Sequence, residues 1–442
     1  MKKILVAATA ALALATPALA FEVKWGGDFN NRFSYSTQAD LSRTIAGEGN
    51  SFINVTGAAI DTKKNSEDSD FFGEVKYRLT LTGTDDDKKA KGVLGFEFGG
   101  RKFGQRGGLD FAGDDNIFEF RWGYVDFEVP FDPASRLIVG LQPVGYNKFL
   151  WSDNAAGVKW VSKRGALGYS LGWFRDDVGN TGNGGGVKLE NDDAYALDVT
   201  YAIEGGPKLN AFGIYLEEGQ EDLVGTTDTM DKQLWLGLAG EGQVGALFYG
   251  FTGIYLTGEI NAGAGTFTGG TETSLDREAY LLNAEVTYKF DKARLKAGWL
   301  YTTGDDDDTD GDAENFANID AYMGGFGSVV VFDSFADDNT LATAPFIFDR
   351  GLNMPYVALD YDLNDKASVG ASALYILTAE DLGEDKDLGV EVAARASYAI
   401  TKNLKAGIEA GYLIGGDAWD ELASDDDGDD VFRTDASIRF MF

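Results

Sequence analysis

The chain contains no cysteine and no histidine, and only 7 prolines in 442 residues. Without Cys there is no disulfide framework, no thiol nucleophile and no soft metal ligand. Without His the commonest general base and metal ligand is missing. Catalytic triads, metalloproteases and His-dependent lipases are therefore disfavoured, and the chain reads as something other than an enzyme. Positive charge is scarce as well: 38 Lys and Arg stand against 72 Asp and Glu, a net charge of −34. Such acidity disfavours nucleic acid as a partner and suits long, well-hydrated surface loops. Long hydrophobic runs are also few. Ile4 to Leu14 is one, preceded by Met1-Lys2-Lys3 and followed by Ala18-Leu19-Ala20. That is the pattern of a secretory signal peptide over residues 1–20, cleaved after Ala20; the run is too short for a membrane anchor. Residues 21–442 then form a single domain.

What the chain has in quantity is 58 Gly, 30 Phe and 19 Tyr, distributed over alternating segments. The last segment is the clearest. Phe432, Ala436, Ile438, Phe440 and Phe442 share one parity, and Arg433, Asp435, Ser437 and Arg439 the other. Successive strand side chains point to opposite faces, so this strand has one apolar and one charged face. The first segment alternates in the same way, with Val23, Trp25, Phe29, Phe33 and Tyr35 opposed to Lys24, Asp28, Asn30 and Arg32. Further runs follow, among them Tyr195–Ile203, Leu282–Phe290, Leu295–Tyr301 and Leu404–Ile414. A soluble sandwich or propeller would show an apolar inner face, whereas here the second face is charged. Aromatics also gather at strand ends, as at Tyr288 and Phe290 or Trp299 and Tyr301. These features predict an all-β transmembrane antiparallel up-and-down barrel, closed so that no strand edge meets lipid. Short turns, Glu241-Gly242 among them, alternate with long segments, 379–386 among them, eight against nine, which predicts 18 strands with both termini periplasmic. Sixteen is the alternative count, because 231–257 is apolar on both parities. A barrel of this size encloses a water-filled lumen unless it is plugged.

Three long segments carry functional expectations. Asp305 to Asp312 is acidic, and Asp306, Asp308, Asp310 and Gly311 resemble the start of a calcium loop. The twelfth position is Ala317 rather than Glu, and no helices flank it, so a solvated acidic loop is the competing reading. Loosely held Ca²⁺ or Mg²⁺ bridging to lipopolysaccharide phosphates lies between the two; no tightly bound cofactor is expected. The segment 304–353 is too rich in Phe, Val and Ile to stay hydrated, so it must fold over the mouth, into the lumen or onto a neighbouring subunit. The segment 143–155 holds Tyr146, Phe149 and Trp151, which either stack on a sugar or pack the loop onto the wall.

That third connector follows Arg121-Trp122-Gly123-Tyr124-Val125 and a strand ending Gly140-Leu141-Gln142. The order resembles the Gram-negative trimeric outer-membrane porins. The resemblance implies an outer-membrane homotrimer, a third loop folded in as a constriction, and a terminal aromatic signal (Phe440, Phe442) read by the barrel-insertion machinery. Asp153 is the only acid on this loop, thinner than the family's pattern. By parity Lys24, Arg32, Lys76, Arg78, Arg395, Arg433 and Arg439 face the lumen, with Arg121 beside them. They form either a basic stripe favouring anions or a set of pairs with inward acids such as Asp28, Glu74, Glu391 and Asp435. The expected function is passive diffusion of ions and small hydrophilic solutes. The alternatives are a channel selective for sugars, amino acids or carboxylates, and a structural or adhesive surface barrel with an occluded lumen.

Overall fold

The computed structural model describes residues 21–37, 70–103, 118–178, 191–221, 228–261, 274–307, 311–333, 335, 344–418 and 430–442. The expected signal peptide and nearly all of the 37–69 loop lie outside these. Among the described residues there are nineteen strands. In order they are β1 (Phe21–Ser36), β2 (Asp70–Asp85), β3 (Ala90–Lys102), β4 (Glu119–Val129), β5 (Asp132–Pro143), β6 (Asn154–Arg164), β7 (Leu167–Val178), β8 (Asn191–Ala202), β9 (Lys208–Glu221) and β10 (Asp228–Val244). There follow β11 (Leu247–Asn261), β12 (Ser274–Phe290), β13 (Ala293–Thr302), β14 (Asp312–Ala313), β15 (Leu352–Asp362), β16 (Ala367–Leu382), β17 (Asp385–Ala399), β18 (Leu404–Gly415) and β19 (Val431–Met441). Eighteen of them close into one antiparallel up-and-down barrel; β14 is a two-residue stub lying parallel to the outer end of β12.

The closing seam pairs Asp28–Ser36 of β1 with Arg433–Met441 of β19 in continuous register. Phe442 extends it. Its N–H donates to the Gly27 carbonyl at 3.1 Å, and the Gly27 N–H donates to the Phe442 carbonyl at 2.9 Å. The Phe442 ring lies over Gly27, where a side chain would collide with it, and meets Phe29 edge-on at 5.7 Å. The start of β1 and Phe442 thus lie at the rim that carries the tight turns.

The alternation seen in the sequence is the inside–outside alternation of the wall. On β12, Arg277, Ala279, Leu281 and Asn283 face in and are buried, while Tyr280, Leu282, Val286 and Tyr288 face out and are exposed. The outward residues of every strand form an apolar coat suited to lipid. Two connectors differ from the sequence reading. The β10–β11 turn falls at Gly245-Ala246, not Glu241-Gly242, because Gly245 supplies the positive φ (60°) that the tight turn needs. The segment 379–386 is not a long loop: β16 and β17 run out to a turn at Gly383 (φ 71°) and Glu384.

Candidate functional site

The lumen has two unlike walls. From β9 to β13 and on to β15 and β16 the inward residues are largely apolar: Phe212, Ile214, Trp235, Leu256, Leu281, Leu300, Met354 and Leu374 are each at most 5% exposed. Such residues would not line water. They are covered by two loops that enter the barrel, 144–153 and 303–351. Phe149 and Leu150 from the first, and Phe316, Met323, Phe326 and Phe332 from the second, complete a single hydrophobic core inside the lumen. The described part of the segment 304–353 therefore folds inward, one of the three places its composition allowed.

The two loops form one body. Ile319 and Asp320 donate their N–H groups to the Leu150 carbonyl at 3.0 Å each, Ser152 donates to the Asp320 carbonyl at 2.7 Å, and Tyr322 to the Lys148 carbonyl at 2.6 Å. Phe149 stacks on Phe326 with centroids 6.3 Å apart, and Phe326 meets Tyr356 edge-on at 4.9 Å. The Trp235 indole N–H donates to the Ala317 carbonyl at 2.8 Å. Tyr146 and Trp151 are 7% and 5% exposed and pack against Phe174. Of their two alternatives they take the packing one, so no sugar-stacking face is presented. Asp153 is exposed at the loop's neck, where it accepts a bond from Asn154 at 3.0 Å.

Glu391, on β17, holds the second loop from below. Its carboxylate accepts the backbone N–H groups of Val329 (2.6 Å), Val330 (3.0 Å) and Val331 (3.2 Å) and the Ser328 hydroxyl (2.6 Å). Gly411 of β18 makes room, since a Cβ there would stand 2.9 Å from the Val329 Cβ. Gly327 adopts φ 86° to turn the chain toward this carboxylate, and its carbonyl accepts a bond from the Ser372 hydroxyl at 2.7 Å.

The opposite wall, β2 to β6, is charged and wet. Arg78, Lys91 and Arg136 keep a third or more of their side chains exposed. Glu97 stands among three bases: Arg78 at 2.5 Å, Arg121 at 3.5 Å and Lys76 at 3.6 Å. Asp126 takes Arg136 at 2.6 Å and Lys91 at 3.1 Å. Five bases of this wall thus gather on two acids. The other bases of the expected stripe also have acids. Lys24 pairs with Glu22 at the turn-side rim (3.1 Å), Arg395 with Asp360 (2.8 Å), and Arg439 with Asp28 (2.7 Å). Arg32 and Arg433 share Asp333. The basic stripe is thus a set of pairs, the second of the two readings. The expected partners Asp28, Glu74 and Asp435 serve in this way, whereas Glu391 binds backbone N–H groups instead. Beneath the loop body a recess of about 350 Å³ opens on Asp360, Arg395, Lys405, Glu409 and Arg439.

Sequence reading did not find Glu97, Asp333 or Lys148. Lys148 lies under the loops with its ammonium 4.6 Å from the Phe149 ring and 5.0 Å from the Phe326 ring, a cation–π arrangement. Of the calcium motif, Asp306 is described, while Asp308 and Asp310 lie outside the described residues. Among the described residues no group of three acidic side chains is spaced to hold a metal.

No protein-family model and no curated protein sequence matches the chain. Solved structures do. Pseudomonas aeruginosa OpdK, crystallised with vanillate, aligns over 95% of this chain and 98% of its own, with TM-score 0.54 and 12% identity. The fold is that of outer-membrane porins. Pseudomonas aeruginosa OccK8 (OprE) covers the same shares with TM-score 0.55 and 11% identity, and Acinetobacter baumannii OccAB4 does so with TM-score 0.54 and 11% identity. At these identities the likeness concerns the backbone, and the residues of the lumen must be argued from this chain alone.

Proposed function

We propose that the protein is an outer-membrane porin through which ions and small hydrophilic solutes diffuse passively. One observation carries this reading: an apolar coat outside encloses an inner wall, β2 to β6, whose charged side chains are partly exposed to water. Such a wall is stable only beside an aqueous path. The loop body fills the side of the lumen against β9–β13, so the path is eccentric and narrow and runs along the basic wall. The turn rim, with both termini, faces the periplasm, and the long loops face outward toward lipopolysaccharide. Phe440 and Phe442 serve as the assembly signal, the chain functions as a homotrimer, and transport needs no cofactor beyond loosely held Ca²⁺ or Mg²⁺ at the acidic loops.

A second reading is a channel selective for small carboxylates. It is favoured by the three bases around Glu97 and by the recess beneath the loops; that a structural neighbour was crystallised with vanillate, a carboxylate, is consistent with it. Planar-bilayer recording separates the readings. Ohmic steps in salt without solute block support the general porin, and saturable block by one carboxylate supports the selective channel. The absence of any conductance from correctly folded protein would sink both and favour an occluded surface barrel. Native electrophoresis in mild detergent tests the trimer, and a purely monomeric species would remove it.

A further inference from the structure

The loop that fills one side of the lumen is tied to the place where the barrel closes. Asp333, in the loop between β13 and β15, accepts a bidentate pair of bonds from Arg32 of β1 at 2.6 and 2.7 Å. The same carboxylate accepts a bond from Arg433 of β19 at 2.6 Å. β1 and β19 are the first and last strands of the barrel, and Arg433 is paired in register with Ser36 across the seam. One loop carboxylate therefore spans the joint from inside. The site is built on both sides. Arg32 also donates to Glu74 of β2 at 2.6 Å, its guanidinium lies 4.2 Å from the Phe335 ring, and Arg433 donates to Asp435 at 3.3 Å. The side chains of Arg32 and Arg433 are 4% and 10% exposed.

We propose that Asp333 is a latch that makes seam closure and loop docking one cooperative event. The chelating site for Asp333 exists only when β1 and β19 are joined, because it takes one guanidinium from each. Conversely, the docked carboxylate holds the two strands together from the lumen side. Without Asp333 each arginine still has an acid of the wall, Arg32 its Glu74 and Arg433 its Asp435, so neutralising Asp333 leaves neither guanidinium without a carboxylate. A bidentate Arg–carboxylate pair sealed from water is the strong form of this interaction. The proposal goes beyond the porin reading, and none of its measurements depends on conductance.

The chain lacks cysteine, so a single Val331→Cys reporter, at a position 6% exposed, can be labelled uniquely with a maleimide. With Asp333 intact, labelling should be slow. Asp333→Asn should raise the labelling rate at least tenfold. It should also lower the temperature at which the folded barrel converts to the unfolded band in detergent electrophoresis. Asp333→Glu, which keeps a carboxylate, should restore part of both effects. Because the reporter itself perturbs the loop, limited proteolysis of the cysteine-free chain with and without Asp333→Asn supplies an independent measure. Unchanged labelling and cleavage would overturn the latch. Faster labelling with no change in barrel melting would overturn the coupling. If the wild-type chain gives no conductance, the channel reading fails while both of these measurements still decide the latch.

Discussion

Glu391→Gln offers the sharpest measure of how the loop is held. The carboxylate is fully buried and is the acceptor for three backbone N–H groups and one hydroxyl. Hydrogen bonds to a charged group contribute about 1.5–3 kcal/mol each, and a buried donor left without an acceptor costs about 1–3 kcal/mol. Glutamine keeps one carbonyl oxygen and so retains part of the set. Its amide NH₂, however, is a donor placed where the N–H groups also donate. A net loss of about 2–4 kcal/mol follows, on the order of 30- to 700-fold in the ratio of undocked to docked loop. Amide hydrogen exchange reads this ratio at the donors themselves, Val329, Val330 and Val331. Their exchange should accelerate by that factor, while ladder amides of β17 and β18 remain protected. Acceleration below threefold would refute the reasoning, because the loop would then be held by its apolar side chains alone. Equal acceleration throughout β17 would refute it differently, since the variant would have damaged the barrel rather than released the loop.

Trp235→Ala should cost about 3–5 kcal/mol of loop docking, and Trp235→Phe about 1–3 kcal/mol through the unpaired Ala317 carbonyl. Both should raise single-channel conductance, and a smaller conductance would contradict the placement of Trp235 beneath the loop body. Selectivity should follow the charges around Glu97. Glu97→Gln leaves Lys76, Arg78 and Arg121 facing the path with one acid fewer, and should move the reversal potential in a salt gradient toward anions. The double variant Arg78→Gln with Arg121→Gln should move it toward cations. One charge at 4 Å in water is worth about 1 kcal/mol, or roughly fivefold in permeability ratio at low salt. The effect should fade toward 1 M salt, where the Debye length is about 3 Å. A reversal potential unmoved by either change would remove the basic wall from the permeation path.

The strand count was legible because lipid is a uniform solvent. Every outward residue meets the same demand, so one parity of each strand is apolar, and turns and loops alternate by topology. The lumen imposes no such uniform demand, and the sequence becomes ambiguous where the lumen is not water. β10 and β11 are apolar on both parities because Trp235, Ile254 and Leu256 face the inserted loops while Leu236, Leu238 and Phe251 face lipid. The same ambiguity that left the count open between 16 and 18 was therefore the sign of the interior core, and it could have been read so together with the apolar segment 304–353. The inward bases were legible by parity, and so were their wall partners Asp28, Glu74 and Asp435; Asp333 was not, because it comes from a loop some three hundred residues from Arg32. Parity assigns a face, and it carries no information about which loop will reach that face. Val329 to Phe332 directly precede Asp333. An apolar run that must be buried, followed at once by a carboxylate, implies that the carboxylate enters with it. A carboxylate carried into a barrel requires cations to receive it. On that ground the unusual feature of the seam, Arg32 and Arg433 buried side by side on the first and last strands, points to the loop as their occupant rather than to a passing solute.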